Sequence, residues 1–253
     1  MFTKFKKNDM IVAKGDGDFW QLKNRKEVVN MGFIVAIDGP AGSGKGTITK
    51  IIAEKRNLVA IDTGAMYRCV TLDCLNNGVE PSDIKAIEKI LENIRIELKN
   101  ENGVKKVFLN GKDVSTQIRE PRVNETVSVY SAIREVRDKM TPMQRKMAET
   151  QDIIMEGRDI GTVVFPNADV KIFLDVSLEE SARRRYKQNV ENGIETTYEE
   201  ELKKLEERNK KDSERDVVPF VKADDAIVVD STELSIDEVV EEILKIIDAK
   251  MTH

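Results

Sequence analysis

Residues 33–47 read FIVAIDGPAGSGKGT, and this stretch decides the fold. Its apolar first part, residues 33–37, has the length and the β-branched content of a buried strand. A glycine-rich turn follows, and residues 47–55, after Lys45, fit a helix. The turn contains Gly39, Gly42, Gly44 and Gly46. Strand, glycine-rich turn, lysine and helix in this order are typical of a loop that binds the phosphates of a nucleotide.

The composition of such a loop follows from its chemistry. Glycines allow backbone N–H groups to converge on phosphate oxygens, and the N-terminus of the helix adds the positive end of its dipole. Lys45 can then reach the β- and γ-phosphates of a triphosphate. The predicted phosphate-binding residues are Gly39, Pro40, Ala41, Gly42, Ser43, Gly44, Lys45, Gly46 and Thr47. The alternative interpretation is a glycine-rich turn that binds no nucleotide.

One position of the loop departs from the general pattern, which has serine or threonine directly after the lysine. Gly46 occupies that position here, and the hydroxyl follows one residue later at Thr47. We therefore assign no direct side-chain ligand to a magnesium ion, and Thr47 remains the candidate.

The composition limits the classes of function. A chain of 253 residues with 40% hydrophobic and 34% charged residues fits one globular domain with insertions. The net charge of −5 and the aromatic content of 5% argue against general nucleic-acid binding. No apolar run is long enough for a membrane span, and two cysteines without metal-like spacing fit a reducing cytosol. We therefore expect a cytoplasmic protein with no nucleic-acid or membrane partner.

Histidine chemistry is excluded almost completely. The single histidine is His253, the last residue, which removes Ser-His-Asp triads and most zinc sites. Any catalysis therefore relies on lysine, arginine, aspartate and backbone amides.

Short apolar segments alternate with helical segments along the chain. These apolar segments are residues 33–37, 58–61, 151–155, 170–174 and 226–229. The alternation predicts an α/β fold of three layers, in which a five-stranded, mainly parallel sheet lies between helices. Ligands bind at the carboxyl ends of such strands. Residues 39–45, 62–64 and 157–159 all follow predicted strands, so we expect them to meet at one edge of the sheet.

Other parts of the chain fall outside this alternation. Residues 1–31 are rich in lysine and weakly patterned, and we interpret them as an N-terminal extension of unknown role. Residues 83–93 have a helical pattern, and residues 94–109 predict a small hairpin. Residues 123–147 read as helical, with a bend near Ser131.

Arginines could supply the positive charge that phosphoryl transfer requires, because a guanidinium binds phosphate bidentately and stays protonated. The candidates are Arg68, Arg137, Arg158, Arg184, Arg185, Arg208 and Arg215. Taken alone, each helical arginine is better interpreted as a surface charge. Arg158 and Arg68 differ, because Arg158 directly follows a predicted strand and Arg68 lies one helical turn beyond the strand end at Asp62.

Two carboxylates accompany these arginines. Asp159 and Asp212 could accept hydrogen bonds from a base amine or a ribose hydroxyl; the alternative for Asp159 is a helix cap or a structural salt bridge. Residues 209–212 also match the NKxD motif of GTP-binding switches. We reject that interpretation, because the motif lies in a charged helical run and the chain contains no D-x-x-G sequence.

Four segments resemble those of the bacterial cytidylate kinases, in the order of that family. They are IDGPAGSGKGT at 37–47, IDTGAMYR at 61–68, EGRDIGTVVFPNADVKIFLDVS at 156–177 and AIVVDSTELS at 226–235. The GKGT ending is the form found in nucleoside-monophosphate kinases. The resemblance implies a P-loop kinase domain over residues 32–253, similar in its core to adenylate kinase. It also implies a monophosphate-binding insert near residues 79–127 and a helical lid near residues 180–200.

The resemblance implies a transferase of pyrimidine metabolism that phosphorylates CMP and dCMP with ATP and Mg²⁺, and we expect a monomer. Residues 39–47 would bind ATP. The implied catalytic residues are Lys45, Arg158, Arg184, Arg185 and Arg208. The implied CMP-binding residues are Thr63, Arg68, Ser128, Arg137, Arg158, Asp159, Arg208, Asp212 and Arg215.

Within these sets the resemblance assigns separate roles. Arg68 and Arg158 would clamp the phosphate of CMP, and Arg215 would lie near the phosphates. The cytosine would be read by Ser128, Arg137 and Asp159, and the sugar would be contacted by Thr63, Arg208 and Asp212. Arg184 and Arg185, on the lid, would close over the transferring group.

The chain also departs from that family. Thr63 stands where serine is common, residues 207–212 replace a run richer in aspartate, and residues 1–31 have no counterpart. Two alternatives remain open. One is a monophosphate kinase for UMP or AMP, and the other is a P-loop protein that binds nucleotide without transferring phosphate.

Overall fold

The structure is a computed structural model that describes residues 32–101, 104–149 and 151–251. The predicted extension of residues 1–31 lies outside the described residues. In chain order the elements are β1 (Ile34–Asp38), α1 (Lys45–Arg56), β2 (Val59–Asp62), α2 (Thr63–Asn76), α3 (Ile84–Asn93), β3 (Ile96–Glu101), β4 (Val104–Leu109), β5 (Lys112–Asp113), α4 (Pro121–Tyr130), α5 (Arg134–Lys146), β6 (Ile153–Gly157), β7 (Val170–Asp175), α6 (Leu178–Glu191), α7 (Tyr198–Glu214), β8 (Ile227–Asp230) and α8 (Ile236–Met251).

The central sheet confirms the predicted five strands. Their order across the sheet is β2-β6-β1-β7-β8, and every neighbouring pair is parallel. All residues of β1 and β6 are buried, which explains why both strands read as continuous apolar runs. The parallel arrangement brings the carboxyl ends of β1, β2 and β6 together at one edge.

Both faces of the sheet are covered, as the three-layer prediction requires. Val35 and Ile37 of β1 face a core that includes Ile52 of α1 and Ile243 of α8. The alternate residues of the same strand face the opposite core, where Ala36 packs with Met155 and Phe165. Because successive side chains of a strand point to opposite faces of the sheet, β1 contributes to both cores.

The region between α2 and β6 forms a further core with α2. Met66 of α2 packs in one cluster with Ile87 of α3, Ile118 and Met140 of α5. The predicted hairpin is confirmed as the antiparallel pair of β3 and β4, to which β5 adds a short third strand that the sequence did not predict. The predicted bend near Ser131 is confirmed as the break between α4 and α5.

The helix pair α6 and α7 packs directly on the phosphate-loop segment. Ala182 of α6 and Leu205 of α7 bury Ala41 of the loop. Thr197 caps α7 by accepting a hydrogen bond from Glu200 N while the Glu200 carboxylate accepts one from Thr197 N, a reciprocal capping box. None of the described helices has both the length and the apolar character needed to cross a membrane.

One element near the sheet edge has no signature in the sequence. Residues Ile160–Val164 form a π-helical turn directly after Asp159. The carbonyl of Asp159 accepts hydrogen bonds from Val163 N at 2.9 Å and Val164 N at 3.1 Å. π-Helical turns are rare and occur often at functional sites. This turn therefore indicates that the residues directly before it belong to a functional site.

Candidate active site

A cavity of about 1110 Å³ lies at the carboxyl ends of β1, β2 and β6, and α4, α6 and α7 complete its walls. All three segments that follow predicted strands contribute to it. The predicted residues that line it are Ala41, Gly42, Ser43, Gly44, Lys45, Gly46, Thr47, Thr63, Arg68, Ser128, Arg137, Arg158, Asp159, Arg184, Arg185, Arg208, Asp212 and Arg215. Gly39 and Pro40 belong to the same loop and lie behind Lys45, whose ammonium they contact.

The glycine-rich loop is shaped by close backbone approach. A Cβ atom at Gly39 would lie 2.2 Å from the carbonyl oxygen of Leu174, so only glycine fits between β1 and β7. Gly42 has a φ of +83°, and a Cβ atom there would lie 2.9 Å from Cβ of Ser181 on α6. The glycines therefore determine both the turn and its contact with the helix pair.

Lys45 is buried at the start of α1, and the loop itself holds its ammonium. Nζ donates to Gly39 O at 2.8 Å, Pro40 O at 2.7 Å and Ser43 Oγ at 3.1 Å. Burial, followed by the positive charge of Arg158, lowers the pKa of Lys45 well below its usual value. An anionic ligand would oppose both effects, which makes this ammonium suitable for binding phosphate.

Glu156, the residue before Gly157 in β6, lies close to Gly46. A Cβ atom at Gly46 would lie 3.1 Å from Oε1 of Glu156, so a side chain at this position would require the carboxylate to shift slightly. Thr47 is exposed on the same wall of the cavity. One hydroxyl and one carboxylate are hard oxygen donors of the kind that Mg²⁺ uses beside phosphates and water. Among the described residues, no group of three or more side chains forms a complete metal site.

Arg68 and Arg158 are each positioned by an aspartate. Asp62 caps α2 by accepting from Ala65 N at 2.9 Å, and its second oxygen accepts from Arg68 Nη2 at 2.9 Å. Arg158 Nε donates to Asp212 Oδ2 at 3.0 Å, and its guanidinium lies 5.7 Å from the ring centroid of Phe220. These contacts hold both guanidinium groups at the cavity wall.

The cavity concentrates positive charge. Burial, together with the neighbouring charge of Arg158, lowers the pKa of Arg208 to about 9. Burial also lowers the pKa of Arg185, and Arg68 and Arg119 lower it further. Guanidinium groups that repel one another in a partly buried site favour binding of an anion.

The two predicted lid arginines differ in their surroundings, although they are consecutive on α6. Arg184 donates to Glu180 Oε1 at 2.9 Å and to Ser231 O at 2.5 Å, beyond the end of β8. Arg185 donates to Gln188 Oε1 at 3.0 Å. Arg184 is thus tied to the sheet edge, whereas Arg185 stands among the cationic side chains of the cavity.

Asp159 lines the same cavity beside a buried arginine. Arg137 and Asp159 form an ion pair in which their side chains are only 3% and 5% exposed. Arg137 Nη1 also donates to Ser131 O at 3.0 Å, and the guanidinium lies 5.4 Å from the ring centroid of Tyr67. Ser128 of α4 lines the same part of the cavity. The ion pair is compatible with both interpretations of Asp159, as a structural salt bridge and as a group that reads a base.

The remaining predicted residues tie the walls together. Thr63 Oγ1 donates to Glu156 O at 2.7 Å, which joins the ends of β2 and β6. Arg215, at the end of α7, donates from Nε to Val218 O, and burial followed by the charge of Arg137 lowers its pKa.

Sequence reasoning missed several residues that line the cavity and one, Asp38, that contacts the turn after Asp159. They are Asp38, Tyr67, Arg119, Ser131 and Glu156. Asp38 and Glu156 could have been found, because both stand at carboxyl ends of predicted strands, where ligands bind in parallel sheets. The other residues lie on helices or helix ends, and no local pattern marks them.

The sequence of this chain is similar to those of known proteins over most of its length. The family model described as Cytidylate kinase matches residues 35–249. The cytidylate kinase of Fusobacterium nucleatum subsp. nucleatum is 53% identical over 215 residues, which covers 85% of this chain and 97% of that protein. The cytidylate kinase of Limosilactobacillus reuteri is 52% identical over 217 residues, which covers 85% of this chain and 95% of that protein. Among solved structures, shikimate kinase from Bacteroides thetaiotaomicron aligns with a TM-score of 0.45 at 14% identity, covering 85% of this chain and 98% of its own.

Proposed function

The chain belongs to the cytidylate kinase family, and from this membership we propose that it transfers the γ-phosphoryl group of ATP to CMP or dCMP. The products are ADP and CDP or dCDP. One observation supports this most strongly: the glycine-rich loop and the Arg137–Asp159 ion pair line a single cavity, together with a cluster of further arginines. That arrangement suits two nucleotides whose phosphates meet in the middle.

The donor half is the loop of residues 39–47. Its backbone N–H groups and the N-terminus of α1 bind the phosphates of ATP, and Lys45 contacts the β- and γ-phosphates. The ammonium exchanges loop oxygens for phosphate oxygens, which restores its pKa because a full negative charge replaces neutral carbonyls.

The acceptor half binds the monophosphate. Arg68 and Arg158 hold the phosphate of CMP, and Arg215 adds charge nearby. Asp159 accepts a hydrogen bond from the exocyclic amine of cytosine, while Ser128 and Arg137 donate to the ring acceptors. Thr63, Arg208 and Asp212 contact the sugar. A carboxylate at the base position favours cytosine over uracil, because uracil offers a carbonyl where cytosine offers an amine.

Transfer proceeds by direct displacement. An oxygen of the CMP phosphate attacks the γ-phosphorus, and ADP leaves from the opposite side. The site needs no strong general base, since the monophosphate is already anionic and alignment with charge stabilisation does most of the work. Lys45, Arg158, Arg185 and Arg208 stabilise the charge on the transferring group, and Arg184 positions α6 beside it. Thr47 and Glu156 would hold a Mg²⁺ ion in this cavity, and the ion would supply positive charge that offsets the negative charge of the phosphates.

Exclusion of water is the second requirement, since water competes with CMP for the phosphoryl group. Residues 180–200, a lid formed by α6 and the loop after it, close over the cavity when both nucleotides are bound.

The kinase domain spans residues 32–253, and residues 1–31 lie outside it. Within the domain, the insert of residues 79–127 contributes to binding of the monophosphate. We place the protein in the cytoplasm as a monomer, where ATP and CMP are available.

A spectrophotometric assay that couples ADP formation to NADH oxidation tests the proposal. With ATP and Mg²⁺, CMP and dCMP should both be turned over, and UMP and AMP should have kcat/KM lower by at least about 10². Faster turnover of UMP or AMP would replace the proposed acceptor. Nucleotide binding without ADP formation for any monophosphate would indicate a protein that does not transfer phosphate.

Replacing Gly46 by serine should lower kcat by about threefold, because the added Cβ atom would require the Glu156 carboxylate to shift slightly beside the loop. This holds although serine restores the hydroxyl of the general motif. Gly46→Ala separates the two effects, since it adds the Cβ atom without a hydroxyl and should be impaired similarly. Wild-type turnover in Gly46→Ser, measured in the coupled assay, would contradict the crowding argument.

A further inference from the structure

We propose that Asp38 is a positioning residue for the acceptor half of the site: its carboxylate fixes the turn that carries Asp159, and so orients the group that reads the base. The inference deepens the proposed function and rests on it. Asp38 is the last residue of β1 and is only 5% exposed. We assign it no contact with a nucleotide, and it acts through the backbone of the neighbouring segment.

The contact is bidentate. Oδ1 of Asp38 accepts from Ile160 N at 2.8 Å, and Oδ2 accepts from Gly161 N at 2.7 Å. These N–H groups open the π-helical turn, where the first donors of a helix have no partner within it. Asp38 thus caps the turn from another strand, 122 residues away in sequence from Ile160.

The contact restrains Asp159 directly. The N–H of Ile160 belongs to the same peptide plane as the carbonyl of Asp159, and Val163 and Val164 hold that carbonyl through their N–H groups. Both edges of the plane are therefore anchored, with Asp159 at φ −146° and ψ 26°. A fixed plane on one side and the Arg137 ion pair on the other leave the carboxylate of Asp159 little freedom.

Packing around the turn also leaves little room for it to move. A Cβ atom at Gly157 would lie 2.6 Å from Cδ1 of Ile160, and a Cβ atom at Gly161 would lie 3.4 Å from Oδ2 of Asp38. The Cδ atom of Lys171 would lie 3.2 Å from the same added Cβ atom. Gly157 beside the turn and Gly161 within it therefore allow the turn to approach the sheet edge this closely.

The charge of Asp38 matters for this role. Burial raises the pKa of Asp38 to about 6, the two backbone N–H groups and Lys45 oppose that rise, and Asp159 adds to it. The carboxylate is thus ionised at pH 7.5 and able to accept from both N–H groups at once. An asparagine has the same shape but a single acceptor oxygen, and its amide N–H₂ would face a backbone donor.

The test compares steady-state kinetics of the full chain with Asp38→Asn at pH 7.5. We expect KM for CMP to rise at least about tenfold, because a loosened Asp159 reads the base less well. KM for ATP should change less than about threefold, although Asp38 adjoins the glycine-rich loop. Asp169→Asn is the matched control, since Asp169 accepts from the N–H of Ile34 at the other end of β1, and its kinetics should equal those of the wild type.

A double-mutant cycle separates positioning through Asp159 from a general structural role. If Asp38 acts through Asp159, Asp38→Asn and Asp159→Asn together should raise KM for CMP by less than the product of their separate factors.

If the asparagine variant does not fold, Asp38→Ser replaces it, because serine is smaller and keeps one acceptor oxygen. An unchanged KM for CMP, equal rises for CMP and ATP, or a fully multiplicative double variant would overturn the proposal. Loss of the fold in both Asp38 variants would assign the carboxylate to folding and would also overturn it. Failure of the proposed function would show separately, as absence of CDP with the wild type.

Discussion

Replacing Arg158 by alanine should lower kcat for CMP phosphorylation by about 10³-fold, the scale at which single positioned cations act in phosphoryl transfer. Arg158 directly follows Gly157 at the end of β6, and Asp212 and the ring of Phe220 hold its guanidinium at the cavity wall. It lines the same cavity as Lys45 and its charge acts on that ammonium, so in the proposed reaction it contributes most when the phosphoryl group is in transit. ATP binding, measured by calorimetry, should change little.

The variant also leaves Asp212, whose side chain is 7% exposed, without its ion pair. Thermal unfolding therefore accompanies the kinetics, and Arg158→Lys keeps a positive charge near Asp212. The lysine variant should recover only part of the turnover, because an ammonium cannot hold phosphate bidentately. Arg122→Ala is the control, since Arg122 is half-exposed and pairs with Glu120 at the surface. Unchanged turnover in Arg158→Ala would refute the phosphate-clamp role.

Replacing Asp159 by asparagine should lower kcat/KM for CMP by about 10²-fold and raise the relative activity with UMP. In the proposed site the carboxylate accepts from the cytosine amine, whereas an amide could also donate to the carbonyl that uracil presents at that position. The same change leaves the buried guanidinium of Arg137 without its counter-ion. Without nucleotide, the free energy of unfolding should fall by about 3 kcal/mol, the usual cost of breaking a buried ion pair.

Kinetics with CMP and UMP and chemical denaturation measure both consequences. Asp113→Asn is the matched control, because Asp113 forms an exposed ion pair with Lys106 and should leave specificity and stability nearly unchanged. If Asp159→Asn kept the wild-type preference for CMP over UMP, Asp159 would be a structural partner of Arg137 and not a reader of the base.

The donor side of the site was accessible from sequence, because its elements are local. A strand, a glycine turn, a lysine and a helix within residues 33–56 specify the loop without help from the rest of the chain. Arg158 and Asp62 were accessible for a related reason: both stand at the ends of apolar strands, and parallel strands gather their carboxyl ends at one edge.

The acceptor side depends on contacts between distant segments. Arg137 lies within the helix α5, and its burial, its ion pair with Asp159 and its contact with the Tyr67 ring distinguish it from the surface arginines nearby. From the residues alone it remained one candidate among several, and the family resemblance had to select it. No sequence pattern marks the π-helical turn. Its capping group, Asp38, comes from β1, which is distant in sequence. Tertiary hydrogen bonds of this kind cannot be read from a local window.

The most direct test of the proposed phosphoryl transfer follows the γ-phosphoryl group of ATP itself. ATP labelled with ³²P at the γ-position is incubated with the full chain, Mg²⁺ and CMP, and the nucleotides are separated by chromatography. We predict that the label appears in CDP, with one ADP formed for each CDP, and that little inorganic phosphate is released when CMP is omitted. Label found in inorganic phosphate, or left in ATP while CMP is present, would contradict the account.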